Sequence, residues 1–182
     1  TVPYTPAPVL ADDDTRTPTS PFAQHSQLMR TLLALSETQR AAMIAAMNEA
    51  ERATLRYHWK LHARHAQLPP PGDWRCWLIC AGRGFRKTRS GAEWVRHYIR
   101  SRPDARIALI SASLAEARAV MVEGESGLLA ISPPGLVPVF EPSLRRLTWP
   151  NGAQAFLYSA AEPDSLRGPL HHAAWCDEVA KW

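Results

Sequence analysis

Apolar residues recur at helical intervals in the first part of the chain and in short, strand-like runs after it. Leu28, Leu32 and Leu35 are spaced as on one face of a helix. Residues 22–70 therefore predict a helical segment, and the prolines of "LPPPGDW" end it as a stiff connector. Residues 1–21 are rich in Pro, Thr and Asp, and they predict a disordered lead-in.

Polar residues mark where two of these helices begin. Gln39 follows Ser36 by three positions, and Glu51 follows Asn48 in the same way. Both pairs resemble the capping box, in which each side chain accepts a hydrogen bond from the backbone N–H of the other residue. They predict two helices, over about 37–47 and 49–64.

Short apolar runs alternate with amphipathic stretches over residues 71–182. The runs "WRCWLICA" and "ARIALISA" predict buried strands, whereas "KTRSGAEWVRHYIRSR" and "LAEARAVMVEGESGLL" predict helices, the second ending near Gly124 or Gly127. The segments "LRRLTW" and "AQAFLYSA" flank "PNG", which is typical of a β-hairpin. The alternation predicts an α/β fold with a parallel sheet and an inserted hairpin.

Composition changes this picture little. Hydrophobic residues make up 46% of the chain and charged residues 21%, which indicates a soluble globular protein. The net charge of +4 is compatible with nucleic-acid binding but does not indicate it. No apolar run approaches the ~20 residues that span a bilayer. The first residues also lack the pattern of a signal peptide, so we expect a cytoplasmic protein without a membrane segment.

Neither the cysteines nor the histidines predict a metal site. The three cysteines lie in apolar, strand-like surroundings, which favours buried, reduced thiols. They are Cys76, Cys80 and Cys176. Three histidines would share one helical face, but no carboxylate or thiol completes a ligand set, so a solvated face is expected. They are His58, His62 and His65.

The candidate chemistry begins with a basic loop between a predicted strand and a predicted helix. The phosphate-binding loop has the pattern G-x-x-x-x-G-K-[ST]. The aligned residues keep the Lys and Thr but replace both glycines. They are Ala81, Gly82, Arg83, Gly84, Phe85, Arg86, Lys87 and Thr88. Free N–H groups and the helix dipole at a helix start attract phosphate. The alternative is a basic turn before an ordinary helix.

The side chains of this loop fit the groups of Mg-ATP. Lys87 would reach the β and γ phosphates, and the Thr88 hydroxyl would be a ligand of Mg²⁺. Arg83 adds a planar set of donors suited to phosphate. Trp74 lies just before the loop and could line an adenine pocket, although packing in the core is the alternative.

An acidic pair near the end of the chain supplies the other half of this site. Asp177 and Glu178 follow the last apolar run, "AAWC". Phosphoryl-transfer enzymes need a carboxylate for the metal and another that orients or deprotonates water. We therefore expect Asp177 to hold Mg²⁺ through water and Glu178 to act as the general base.

Several short motifs in order resemble the large terminase subunit of tailed phages and phage-like gene transfer agents. They are "WLICAGRGFRKTRSGAEWVR", "MVEGESGLL", "LTWPNGA", "LRGPLHHAAWCDE" and "AKW". The resemblance covers about Ser36 to Trp182. It implies a P-loop NTPase of the RecA-like type, with residues 81–88 as Walker A and a Walker B strand before Asp177.

The resemblance also implies a function and partners. It points to an ATPase, using ATP and Mg²⁺, that drives double-stranded DNA through a portal protein into a procapsid. Several copies would form a ring, with a small terminase subunit as a further partner. In this family an Arg at the position of Arg83 contacts the γ phosphate within its own subunit. The Arg of "LRG", here Arg167, reaches a neighbour's nucleotide in some relatives, and the alternative is a surface arginine in a polar loop.

Two departures from the family pattern affect these expectations. The family has Gly where this chain has Arg86, whose side chain would either crowd the phosphates or point outward. A left-handed backbone there would cost ~1–2 kcal/mol for a residue other than Gly. We therefore expect ATP binding to be weakened but not abolished.

The second departure is that the sequence stops at Trp182. Full-length relatives continue with further strands and a nuclease domain, so a gap or an unpaired edge is expected in the sheet, and no nuclease activity. A truncated terminase fragment that binds nucleotide, DNA or a partner without turnover is therefore the alternative function. Another P-loop motor, such as a helicase, is a third.

Overall fold

The structure is a computed structural model, and it describes residues 34–182. The predicted lead-in and the part of the first helical pattern that contains Leu28 and Leu32 lie outside the described residues.

Two capped helices open the described chain. Helices α1 (Glu37–Ala46) and α2 (Glu49–Tyr57) both begin with the predicted capping boxes. The Ser36 Oγ accepts from the Gln39 N–H at 3.2 Å, and the Asn48 Oδ1 accepts from the Glu51 N–H at 2.9 Å. Neither helix contains a buried residue. The second predicted helix is shorter than expected, because the backbone at His58 is extended. A short helix α3 (Trp59–His62) and a 3₁₀ turn (His65–Gln67) follow.

A five-stranded sheet forms the centre of the fold. Its strands are β1 (Arg106–Ser111), β2 (Val139–Glu141), β3 (Arg146–Thr148), β4 (Gln154–Ser159) and β5 (Ala173–Cys176). Their order in the sheet is β2-β3-β4-β1-β5. Strands β4, β1 and β5 are parallel, and Leu109 of β1 lies beside Leu157 and Trp175. Strands β3 and β4 form the predicted antiparallel hairpin around "PNG".

The apolar run "WRCWLICA" is not a strand, so this prediction is wrong. Residues 74–81 make no ladder in the described structure, and strand β5 is the edge of the sheet. Leu78 is 71% exposed. An apolar run becomes a buried strand only when a neighbouring strand pairs with it, and none pairs with residues 74–81 in the described chain.

Helix α4 (Lys87–Arg100) packs one face against the sheet, as its amphipathic pattern predicts. Ala92, Val95 and Ile99 on this face belong to the core cluster. Gly91 brings the helix close to strand β5, since a Cβ atom there would lie 2.3 Å from the Trp175 Nε1. The position of β5 therefore depends on a glycine in the helix that follows the basic loop.

The second predicted helix is irregular. It begins as a short helix α5 (Leu114–Glu116), which the Ser113 Oγ caps by accepting from the Glu116 N–H at 3.1 Å. It continues as a π-helix (Ala117–Val122) that ends just before Gly124, close to the expected end. A short helix α6 (Leu128–Ile131) follows.

The three cysteines are free but exposed, so the prediction of buried thiols is wrong. Cys76 and Cys80 lie in the segment that does not enter the sheet. Cys176 alternates with the buried Trp175 along β5, so it lies on the opposite face of that edge strand. In the described chain no helix is long and apolar enough to cross a membrane.

Candidate functional site

The basic loop leads into helix α4 through Arg86, a residue with a left-handed backbone. Arg86 is the N-cap of the helix, with φ 65° and ψ 41°, and Gly84 has φ 80°. The Ser90 N–H is the first amide of this helix with an acceptor in residues 34–182, and it donates to the Arg86 carbonyl at 3.0 Å. The N–H groups of Lys87, Thr88 and the next residue are thus available to an anion, as at any helix start.

The Lys87 side chain spans the loop from its last residues to its first. The Lys87 Nζ donates to the Ala81 carbonyl at 2.9 Å, which joins the two ends of the loop. Lys87 is half-buried, whereas Gly82 and Arg83 are exposed. The ammonium group is therefore held inside the curve of the loop, and the Arg83 side chain extends into solvent.

Asp177 faces this helix start from the end of strand β5. Its N–H continues the ladder by donating to the Ile110 carbonyl at 2.9 Å, and the residue is only 7% exposed. The Thr88 hydroxyl, the Glu178 N–H and the Lys87 ammonium lie close enough to its carboxylate to lower the pKa of Asp177. The structure thus brings together the predicted residues of the two distant segments.

Burial is the main influence on this carboxylate. Loss of solvent raises the pKa of Asp177 above its ordinary value of 3.8, and the negative charge of Glu178 raises it further. The charge of Lys87 and the Thr88 hydroxyl act in the opposite direction and lower that pKa. A cation beside Asp177 would therefore favour its ionised form.

Glu178 lies at the exposed rim of the site. Its backbone is left-handed, with φ 52°, and it caps a 3₁₀ turn (Val179–Lys181). This conformation turns the chain sharply after Asp177 and leaves the Glu178 side chain in solvent. The Lys181 Nζ then lies 3.4 Å from a Glu116 carboxylate oxygen, which holds the turn against helix α5.

Arg167 is not joined to the loop. Its Nε lies 3.2 Å from an Asp164 carboxylate oxygen, and the Arg167 side chain is 86% exposed. None of its contacts in the described chain reaches residues 81–88. Within one copy of the chain, Arg167 is therefore a solvent-exposed arginine on a surface turn.

Trp74 belongs to a cluster of aromatic rings beside helix α4. Its ring centre lies 6.1 Å from that of Trp77 and 6.4 Å from that of Trp94, while its Nε1 donates to the Pro70 carbonyl at 3.0 Å. The indole is half-buried. These contacts correspond to the packing alternative, on the surface of helix α4 rather than in the central core.

Sequence reasoning missed a contact from the N-terminal segment to the loop. The Gln67 Nε2 donates to the Phe85 carbonyl at 2.6 Å, and Gln67 is 2% exposed. The guanidinium of Arg64 lies over the Phe85 ring, 5.1 Å from its centre. No motif marks Gln67, because its partner is a backbone oxygen eighteen positions away.

A buried acid also escaped sequence analysis. Glu93 of helix α4 lies 2.7 Å from the Arg89 guanidinium and 2.6 Å from that of Arg96. Burial raises the pKa of Glu93, although both arginines lower it. Arg96 also donates to the carbonyls of Tyr57 and Ile131, at 2.5 and 3.0 Å. The cluster therefore ties helices α2 and α6 to helix α4.

The histidines form no metal centre in residues 34–182, where no group of three potential ligands occurs. His62 and His65 are exposed, as the expected solvated face requires, whereas His58 is half-buried at the end of helix α2. The His62 Nε2 donates to the Leu55 carbonyl at 2.5 Å.

In this mixed α/β protein, a basic loop at a helix start faces a buried carboxylate at the end of a parallel strand. The family model of the terminase large subunit, T4likevirus-type, N-terminal, matches residues 78–182. The chain belongs to this family, and membership implies a role in packaging phage DNA. No curated protein and no solved structure matches the chain.

Proposed function

We propose that the chain is the ATP-binding and ATP-hydrolysing motor portion of a terminase large subunit. The observation that carries the proposal is that Thr88 and Lys87 of the loop lie beside the Asp177 carboxylate, close enough for both to lower its pKa. A phosphate-binding loop and a metal-binding carboxylate are useful together only if they meet at one place. In the proposal, the motor drives double-stranded DNA through a portal protein into a procapsid, as a ring of copies assisted by a small terminase subunit.

The residues at this place fit Mg-ATP. The loop formed by residues 81–88 would hold the phosphates of ATP. Three backbone N–H groups at the start of helix α4 and the Lys87 ammonium would bind them. The Thr88 hydroxyl and the Asp177 carboxylate are hard oxygen donors of the kind that Mg²⁺ prefers. Bound Mg²⁺ would neutralise charge on the phosphate oxygens.

The chain's own groups divide the remaining chemistry between them. Glu178 is the candidate general base, since its exposed carboxylate stands next to Asp177 and can accept a proton from water. Arg83 is exposed on the loop, so in the proposal it contacts the γ phosphate of its own subunit. Arg167 is exposed on a separate turn, so in the proposal it serves the nucleotide of a neighbouring copy.

Binding without turnover is the second candidate function. Two observations favour it. Arg86 occupies a left-handed position that suits glycine, and residues 74–81 do not enter the sheet. A loop whose preceding segment is unpaired is held less firmly for catalysis.

An ATPase assay with and without double-stranded DNA separates these two functions. The variants Lys87→Ala and Glu178→Ala test the phosphate contact and the base, and Glu125→Ala provides a matched control at an exposed acid outside the loop and β5. Turnover that is lost in the first two variants and kept in the control supports the motor. Mg-ATP binding without turnover supports the second function, and the absence of Mg-ATP binding overturns both.

A further inference from the structure

We infer that Gln67 is a positioning residue that fixes the direction of the Arg86 N–H in the phosphate loop. The inference rests on the proposed function, because it concerns how that loop meets phosphate. It assigns to the N-terminal helical segment a specific task in the site, through one buried amide.

The Gln67 side chain is held at both ends. Its Nε2 donates to the Phe85 carbonyl at 2.6 Å, and its Oε1 accepts from the Arg64 N–H at 2.8 Å. The residue is 2% exposed, so water does not compete for these groups. Because a neutral amide has distinct donor and acceptor ends, turning it over would lose both bonds.

Holding the Phe85 carbonyl also fixes the next amide. The described chain has no cis peptide bonds, and in a planar trans peptide the C=O and the following N–H point in opposite directions. The Phe85 carbonyl points to Gln67, so the Arg86 N–H points to the other side of the loop. In residues 34–182 this N–H has no protein acceptor. Together with the first N–H groups of helix α4, it forms a set of donors suited to an anion.

The same bond explains how an arginine keeps a left-handed backbone. A flip of the peptide between Phe85 and Arg86 would relieve the positive φ of 65° at Arg86. That flip would turn the Phe85 carbonyl away from Gln67 and leave a buried donor unpaired. Gln67 therefore opposes the relaxation that the replacement of glycine by arginine would otherwise favour.

The decisive variant is Gln67→Glu, compared with Gln39→Glu. A glutamate keeps the acceptor for the Arg64 N–H but, when ionised, cannot donate to the Phe85 carbonyl. Gln39 accepts from the Ser36 N–H in the same capping position but has no contact with the loop, so it is a matched control. Titration calorimetry would measure binding of Mg-ATP and of Mg-triphosphate, because the inference concerns phosphate and not the base.

At pH 8 we expect Gln67→Glu to weaken binding of both ligands about tenfold, the usual loss for one hydrogen bond in a closed site. The Gln39→Glu variant should bind like the unaltered chain. As pH falls towards 5.5, a buried glutamic acid becomes protonated and regains an O–H donor, so the ratio between variant and unaltered chain should shrink. A loss caused by the shape of the new side chain alone would show no such recovery, because protonation leaves that shape unchanged.

Equal binding by Gln67→Glu and the unaltered chain at pH 8 would overturn the inference and leave the proposed function standing. A loss that does not recover at low pH would also overturn it. If the variant does not fold, NMR of the unaltered chain decides, since Mg-triphosphate should move the Arg86 amide signal downfield and an unmoved signal contradicts the inference. Absence of any binding by the unaltered chain overturns the proposed function, and the inference with it.

Discussion

The Thr88 hydroxyl lies beside the Asp177 carboxylate and lowers its pKa, so the first turn of helix α4 faces the end of strand β5. These two residues lie far apart in the sequence, and each comes from a segment with a different charge. This proximity places the basic loop and the acidic pair at one edge of the sheet. It is this relationship that gives the proposed function its physical basis.

The left-handed Arg86 leads to a first prediction. The variant Arg86→Gly should increase the free energy of unfolding by up to about 1 kcal/mol, because glycine adopts a positive φ without steric strain but gains entropy in the unfolded chain. It should also tighten Mg-ATP binding if the side chain crowds the phosphates. Urea unfolding and calorimetry measure the two effects.

Arg145 provides the control for this substitution. It is also left-handed, with φ 51°, but it lies between strands β2 and β3 and away from the loop. Arg145→Gly should change stability in the same direction and leave Mg-ATP binding unchanged. An Arg86→Gly variant with unaltered ATP affinity would contradict the crowding of the phosphates and indicate that the exposed arginine points outward.

Asp177 leads to a prediction about pH. Its pKa is raised by burial and by Glu178, so the folded state binds the proton more readily than the unfolded state does. As pH rises from the pKa that Asp177 has in the unfolded chain to the raised pKa that it has in the folded chain, its ionisation progressively lowers the free energy of unfolding. Asp177→Asn should be more stable than the unaltered chain at pH 7, and the difference should shrink as pH falls towards 4.

Urea unfolding midpoints of Asp177→Asn and of the unaltered chain, measured between pH 4 and 7, test this difference in stability. The same variant should lose Mg²⁺-dependent ATP binding, so its stability and its proposed activity would change in opposite directions. A lower midpoint for Asp177→Asn at pH 7 would show that Lys87 and Thr88 stabilise the carboxylate by more than its burial costs.

The close approach of helix α4 to strand β5 gives a third prediction. Gly91→Ala would place a methyl group 2.3 Å from the Trp175 Nε1, so the indole or the helix must move. We expect a loss of about 1–3 kcal/mol in the free energy of unfolding, as for other overpacked cores. The matched control is Gly82→Ala, where a Cβ atom would meet nothing within 4 Å. Equal urea midpoints for the two variants would contradict the tight packing.

The buried ion pair of helix α4 gives a fourth prediction. Arg96→Met removes one of the two arginine partners of Glu93 and two hydrogen bonds to backbone carbonyls, so we expect the free energy of unfolding to fall by about 3 kcal/mol. The comparison is Arg118→Met, which breaks an exposed pair with Glu123 and should leave the urea midpoint nearly unchanged. Similar midpoints for both variants would contradict a structural role for the Arg96 cluster.

The local signals of the sequence predicted much of the fold. The capping boxes at Ser36 and Asn48 are confirmed, because they depend only on residues three positions apart. The hairpin and the strand at residues 106–111 are also confirmed. The prediction of a strand at residues 74–81 was wrong, because the hydrophobicity of a segment does not show whether another strand pairs with it.

The candidate site was predictable only where a motif describes it. The meeting of Lys87, Thr88 and Asp177 follows from known spacing rules, and the structure brings these residues together. Gln67 could not be found in this way, because its hydrogen bond goes to a backbone oxygen whose position depends on the whole fold. The exposure of Cys76 and Cys80 depended in turn on the unpaired segment in which they lie.

Helices α1 and α2 contribute no buried side chain, and the Arg96 guanidinium connects helix α2 to helix α4 through the Tyr57 carbonyl. The core cluster would therefore remain intact if these two helices swung outward. The same guanidinium neutralises Glu93, about two turns from the start of helix α4. The N-terminal segment is thus attached to the loop region twice, by Arg96 through helix α4 and by Gln67 at the Phe85 carbonyl.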